Sequence, residues 1–278
     1  MPFLAGIPAL LIIALFYWSR PPVLMLTDPS LTLLYGSSRA RSKEAGISLR
    51  LFRPFISVQV ANNASPEIVV EAVKAVHKAP MAVFFPYHFI EAARRFKDEL
   101  PGITVIVMEG RQMVDQGDDF VVISTDSDTD FYRAGICAAL LTRDSTGGIV
   151  FYQNTSFKDS HREAFEKGLE KGGFIKETFF LDSSTDYYSW QDISCVVISG
   201  PAVRFFERNL DIPVILFSWI DPSMTPANVK IIFDNSPWAL AVESLRLLKS
   251  GGSTLPSPII LPLGRLGKSG TEIRKLIR

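Results

Sequence analysis

"DTDFYRAGICAALLT", residues 128–142, is followed after a short gap by "GGIVFYQN", residues 147–154. The first piece reads as a helix opened by Asp128 or Thr129 and running to about Arg143, because such side chains accept from the free N–H groups of a first turn. The second reads as a strand over residues 148–152, a brief apolar run behind two glycines. Helix followed by strand restarts an alternation that has already run once upstream. The chain therefore carries two successive α/β units of similar size, with the seam near residues 126–130.

Upstream, residues 22–27 (PVLMLT) form an apolar run that ends in the turn signal Asp28-Pro29. Residues 30–45 read as a helix, and residues 56–61 alternate as a strand does. Ser65-Pro66-Glu67 opens a helix with Val69, Ala72, Val73 and Val76 on its apolar stripe. A strand over 81–85, a helix carrying Phe89, Ala92, Ala93, Phe96 and Leu100, and strands over 103–108 and 120–124 complete the first unit. Strand and helix in alternation argue for a parallel sheet covered on both faces.

Downstream, a helix over 160–171 ends at Gly172-Gly173, where glycine suits the left-handed cap. Strands follow over 174–181, 193–198, 214–217 and 229–233, with a short helix from Gly200-Pro201 to about Leu210. Pro237 opens a last long helix to Lys249, with Trp238, Ala241, Leu245 and Leu248 as its core stripe. The Gly/Ser/Pro-rich tail holds an edge strand over 259–261. The fold class is α/β: two doubly wound parallel-sheet lobes with a hinge and an inter-lobe cleft. Residues 1–20 form a signal or membrane anchor, 21–127 the first lobe, 128–236 the second, and 237–278 a helix returning to the first lobe plus a tail.

Lys+Arg and Asp+Glu both number 29, so the net charge is zero and no nucleic-acid partner is expected, since that surface needs a basic stripe. Cys137 and Cys195 make no framework and read as buried thiols. Residues 3–18 are uncharged and almost wholly apolar, somewhat short of the roughly 20 residues of a spanning helix. Tyr17 and Trp18 suit a membrane interface, and the segment reads as a membrane tether or an atypical export signal. Arg20, Arg39, Arg41 and Lys43 follow it, which by the positive-inside rule favours the cytoplasmic side for what comes next.

Several motifs fail on inspection. Residues 264–269 (GRLGKS) lack the leading glycine of a phosphate loop, because Pro262 stands there, and read as a flexible basic tail. His77, His88 and His161 have no metal-ligand spacing. Asp126, Asp128 and Asp130 lack the glycine and glutamate of a calcium loop, and helix capping explains them better. No nucleophile, base and orienting group converge, so the expectation is a binding protein without cofactor or metal.

In open parallel sheets, ligands sit beyond the carboxyl ends of the strands. The residues there are Thr27-Asp28, Pro86-Tyr87-His88, Glu109-Gly110 and Thr125-Asp126 in the first unit. In the second they are Gln153-Asn154, Ser199-Gly200, residues 219–221 of "FSWIDPSM" and Asp234-Asn235. Aromatics, carboxylates and amides of this kind grip a small polar ligand.

These features resemble the type I periplasmic binding protein family, which includes sugar-binding members, regulator effector domains and basic membrane protein (nucleoside-binding) lipoproteins. "DTDFYRAGICAALLT" with "GGIVFYQN" resembles the family's acidic crossover, small-residue helix and lobe-two strand. "SHREAFEKGLEKGGF" (160–174) resembles its Arg-x-x-Gly-Phe helix, with Arg162 at the arginine that contacts ligand and Ala164-Phe165 departing from Gly-Phe. "SWIDPSM" places Asp221 at a sugar-binding aspartate, and "FDNSPWALAVESL" places Asn235 at an amide before a Pro-started helix, with Asp234 as the alternative. Asp28 follows the first strand, where nucleoside-binding members also carry an aspartate. The candidate ligand-binding residues are Asp28, Tyr87, His88, Arg162, Trp219, Asp221 and Asn235. The resemblance implies a solute-binding protein of the periplasm or cell envelope. It would capture a small polar ligand, a sugar or nucleoside, between two lobes and present it to the membrane permease of an ABC transporter. A membrane-tethered sensor of a signalling system is the alternative, and an enzyme on a doubly wound fold stands behind both.

Overall fold

Proline, glycine and aspartate set the limits of the first elements. The computed structural model describes residues 11–12, 14–76, 78–108, 119–153, 157–182, 190–199, 211–218, 220–247, 254–262, 266 and 269–276. Strand β1 (Val23–Thr27) is wholly buried and gives way to α1 (Pro29–Tyr35). Asp28 caps that helix from an extended backbone, its carboxylate accepting from the N–H groups of Ser30 and Leu31. Gly36 has φ 86°, a region that favours glycine, and it separates α1 from α2 (Ser37–Leu51). The single helix expected over 30–45 is therefore two.

The described residues fall into two compact units, 1–125 with 237–255, and 126–236 with 256–278. The chain passes from one unit to the other after residues 125, 236 and 255. The first unit continues with β2 (Phe55–Gln59), α3 (Pro66–Lys74), β3 (Ala82–Pro86), a 3-10 turn (Tyr87–Phe89), α4 (Ile90–Glu99), β4 (Thr104–Met108) and β5 (Phe120–Thr125). Its sheet order is completed by β11 (Thr254–Leu255) and reads β11-β5-β4-β3-β1-β2, with every pair parallel. Leu24, Leu26, Val83, Phe85, Val105 and Val107 meet Val69, Val73, Ala92 and Phe96 of α3 and α4 on one face. Val23, Met25, Phe84 and Ile106 point the other way and are equally buried, which is why these strands read as unbroken apolar runs. Trp238, from the helix over 237–247, stacks on Tyr35 at 4.8 Å between ring centroids.

The second unit opens with α5 (Ser127–Leu141) and β6 (Gly148–Gln153). The cap of α5 is Asp126, neither Asp128 nor Thr129: its carboxylate accepts from the Thr129 N–H at 3.1 Å. Then follow α6 (Asp159–Lys171), β7 (Thr178–Asp182), β8 (Ile193–Ile198), β9 (Val214–Phe217), a 3-10 turn (Pro222–Met224) and β10 (Val229–Phe233). Strand β7 starts four residues later than expected, after Gly173 at φ 82° and a bend. The chain crosses to the first unit for α7 (Pro237–Leu247), then returns for β12 (Ile259–Ile260) and α8 (Ser269–Leu276).

The second sheet reads β12-β10-β9-β8-β6-β7, and β12 alone is antiparallel among its described pairs. Helix α8 starts at the end of the stretch 264–269 read as a flexible basic tail: Ile273 is fully buried in the second unit's core, and Arg143 holds Glu272 with two bonds of 2.9 Å. The expected helix over 201–210 and the residues 263–265 and 267–268 lie outside the described residues.

Helices α5 and α6 meet backbone to backbone. A Cβ on Gly168 would lie 2.0 Å from the Tyr132 carbonyl oxygen, and one on Gly135 would lie 2.2 Å from that of Phe165. Ala138, Ala139 and Ala134 line the same helix, so the small residues of the opening stretch permit this approach.

Candidate functional site

Each sheet places its second strand outside its first and runs through the third, fourth and fifth on the other side. The order thus reverses between β1 and β3, and again between β6 and β8. Loops diverge at such switch points and leave room for a ligand beyond the strand ends.

In the first unit the switch point holds Asp28 and His88. Asp28 is 2% exposed. Its Oδ1 accepts from the Ser30 N–H at 2.7 Å and the Leu31 N–H at 3.1 Å, and also from the Ser30 hydroxyl. Its Oδ2 faces His88 Nε2 at 3.6 Å. One oxygen therefore holds the helix while the other is turned to the strand-end loop. Burial lowers the His88 ring below the usual histidine value, against the opposing pull of the Asp28 carboxylate. The His88 ring also lies on Phe89, with centroids 4.1 Å apart. Tyr87 is half-buried and packs against the apolar cluster of α3 and α4. Sequence order alone separates Asp28 from His88 by 60 positions; the β1–β3 pairing joins them.

In the second unit the switch point holds Gln153. Its Nε2 donates to Asp182 Oδ1 at 2.8 Å, while its Oε1 is buried with no hydrogen-bond partner among the described residues. Asn235 stands two residues beyond β10, and its Oδ1 is likewise buried without a described partner. The neighbouring Asp234 is fully buried and spends its carboxylate on the Ser236 N–H at 3.1 Å. Of the two, Asn235 is the one with an acceptor that lacks a described partner.

Rings gather in the core of the second unit behind these strand ends, with Phe131 6% and Phe233 0% exposed. Phe217 and Phe233, the last residues of β9 and β10, stack at 4.5 Å with planes 8° apart. Phe131 joins Phe217 at 4.9 Å and also meets His161 at 4.7 Å. Phe157 and Phe180 extend the group past β6. Arg162 is exposed on α6 and lies over the Phe180 ring, its guanidinium carbon 4.5 Å from the centroid. Burial lowers the His161 ring below the usual value, with Lys158 adding to that and Asp128 opposing it.

Asp221 is engaged locally: its Oδ1 accepts from the Ser223 N–H at 2.9 Å and hydroxyl at 2.8 Å, capping the 3-10 turn. Trp219 lies outside the described residues, as do Glu109-Gly110 and Asn154. Phe131, Phe217 and Phe233 sit in or beside apolar runs and read as core, and the structure packs them in the second unit's core.

Asp130 is 2% exposed and turns inward. It accepts from the Ser257 N–H at 2.8 Å, and Arg133 donates to it at 3.4 Å and to the Ser257 carbonyl at 3.0 Å. Burial pushes the Asp130 carboxyl up to about 7, against those donors. The Asp234 N–H donates to the Pro258 carbonyl at 2.8 Å, so the returning segment is pinned at two places. Among the described residues, no group of three or more His, Cys, Asp or Glu side chains could hold a metal ion.

Neither a family model nor a curated protein matches the sequence. Solved structures do match. A transcriptional activator of the comK gene from Bacillus halodurans is similar with TM-score 0.62 at 12% identity, over 93% of this chain and 96% of that one. AraP, an arabinose binding protein from Geobacillus stearothermophilus, is similar with TM-score 0.59 at 12% identity, over 87% and 96%. An ABC transporter periplasmic solute binding protein from Actinobacillus succinogenes with bound D-allose gives TM-score 0.55 at 12% identity, over 87% and 97%. The chain has the α/β fold of the type I periplasmic binding proteins and their related regulators.

Proposed function

We propose that this protein binds a small polar ligand, a sugar or nucleoside, at the carboxyl ends of its strands, with contacts from both units and no chemical step. The observation that carries the reading is Asn235 Oδ1, a buried acceptor with no described partner, two residues beyond the end of β10. Leaving a buried acceptor unmade costs about 1–3 kcal/mol, a penalty that a ligand hydroxyl or amine would remove. Phe217, the partly exposed last residue of β9, offers an aromatic surface to the apolar side of a sugar or base. From the first unit, Asp28 Oδ2 and His88 offer an acceptor and a switchable donor; Tyr87 adds a phenol. Arg162, over the Phe180 ring, and Asp221, capping the 3-10 turn, each have a local role that a ligand would have to share.

Binding contacts drawn from two units favour the state in which both are engaged, which is the physical basis of ligand-driven closure. The apolar segment at residues 1–20 supports a place in the cell envelope, as a tethered or exported protein serving a membrane permease of the ABC type. A second reading, a ligand sensor, draws on the similarity to the Bacillus halodurans regulator.

Thermal-shift measurements against monosaccharides, nucleosides and amino acids test this. One class should raise the melting temperature of the wild-type chain. Asn235→Leu should fold at least as stably without ligand, because it deletes an unpaired acceptor, and should lose the ligand shift. A folded chain that no compound stabilises would refute the reading.

A further inference from the structure

The amino-terminal ends of the first unit's strands form a different kind of surface, opposite in chemistry to the site above. Residues 14–19 are helical and carry exposed Leu15, Phe16 and Trp18, the last 66% exposed. They rest on the end of α2. Phe52, which terminates that helix, contacts Phe16 at 6.2 Å and Tyr17 at 5.8 Å between centroids. The Tyr17 and Ser48 hydroxyls are hydrogen-bonded. Leu49, on the last turn, is 78% exposed.

Phe52 has φ 49°, the left-handed region, and is the sole non-glycine residue there among the described residues. A bulky side chain is strained in that conformation. Here it leaves the ring partly exposed beside Phe16 and Tyr17.

Cations surround these rings. Arg20 lies over Phe16 at 4.7 Å and over Phe52 at 5.3 Å. Lys78 Nζ donates to the Trp18 carbonyl at 2.6 Å, and Arg53 donates to the Pro21 carbonyl at 3.4 Å. Arg50 is exposed, next to Leu49 in the chain and two residues before Phe52. The segments that build this face, 11–22, 46–58 and 75–85, contain Arg20, Arg50, Arg53 and Lys78 and no Asp or Glu. The chain as a whole has no net charge, so this is a local separation.

Trp, Tyr and Phe beside Arg and Lys are the residues that partition to the headgroup level of a bilayer, rings toward the acyl boundary and cations at the phosphates. No described helix is long and apolar enough to cross a membrane. We infer that this face of the first unit, built on Trp18, Phe52, Arg50 and Lys78, docks on an anionic lipid surface and holds the folded unit against the membrane. The inference deepens the envelope reading given above and extends it from the leading segment to the folded unit itself.

The test uses the full chain and vesicles of phosphatidylcholine with or without phosphatidylglycerol, read by flotation. Binding is expected to the anionic vesicles and to weaken with salt. Arg50→Glu with Lys78→Glu should weaken it by about 30-fold or more, at about tenfold or less per cation neutralised near the surface. Phe52→Gly should weaken it by about tenfold, from the lost aromatic burial. Because glycine relieves the positive φ, its melting temperature should equal or exceed that of wild type, which separates lost docking from misfolding.

Equal vesicle affinity for wild type and Arg50→Glu/Lys78→Glu would overturn the inference while leaving a tether through residues 1–20 intact. Absence of vesicle binding by the wild-type chain would overturn both. Self-association abolished by Phe52→Gly and unaffected by vesicles would also overturn it, assigning the face to a second copy. Ligand-induced thermal shifts should be unchanged in all these variants, so the outcome is independent of the binding site.

Discussion

Gly168→Ala should destabilise the second unit, whereas the same change at Gly46 should stabilise the first. In an open helix position, alanine for glycine is favourable by about 0.5–1 kcal/mol through reduced unfolded-chain entropy. Gly46 lies inside α2, and an added Cβ there would meet nothing within 4 Å. Gly168 lies inside α6, and its Cβ would fall 2.0 Å from the Tyr132 carbonyl oxygen and 2.9 Å from the carbonyl carbon. Ordinary contact begins at 3.4 Å, so α5 and α6 would have to separate by more than 1 Å. The obstacle is backbone, which cannot swing aside as a side chain does. Overpacking of this kind costs about 1–3 kcal/mol, and a backbone clash belongs at the upper end. After the helix gain is subtracted, Gly168→Ala should lose about 2 kcal/mol, an effect of about 4–8 °C in melting temperature for units of this size. Urea unfolding followed by circular dichroism would measure both variants against wild type. Gly168→Ala as stable as Gly46→Ala would refute the close-packed crossing.

Trp238→Ala should cost about 3–5 kcal/mol, since the ring is 1% exposed, stacks on Tyr35 and donates from Nε1 to Glu44 at 3.1 Å; chemical denaturation would read the loss. Asp130 should make the second unit less stable as pH rises. Its carboxyl is raised from 3.8 to about 7 by burial, so its contribution is fully present below about pH 4 and lost as pH climbs through 7. The difference is at most about 4 kcal/mol, and Asp130→Asn, which keeps an acceptor for the Ser257 N–H, should flatten the dependence in melts taken from pH 4 to 8.

The strands were legible because residues buried on both faces leave continuous apolar runs, as in Ile193–Ile198 and Val229–Phe233. Caps were less so. Asp126, Asp128 and Asp130 all suit a first turn, and which one closes it depends on where β5 releases the chain. Asp130 reads as one more cap, yet it bonds Ser257, 127 residues away. Gly36 falls inside the single helix expected over 30–45, and its φ of 86° divides that helix into α1 and α2. Helix α8 depends on burying Ile273 in the second unit's core, a contact its short sequence does not announce.

At the site, the strand-end rule pointed to Asp28, His88 and Asn235, and the structure places them at a switch point or beside the end of β10. The contact of Phe131 with the stacked Phe217 and Phe233 in the core behind β10 was hidden, because its members come from three separate elements.

Amide hydrogen exchange tests the central claim most directly. It would compare the full chain alone and with the monosaccharide or nucleoside that gives the largest thermal shift. Protection is expected together in residues 26–31 and 86–90 of the first unit and in 216–221 and 233–237 of the second. Protection confined to one unit, or lying away from the strand ends, would contradict a ligand held by both.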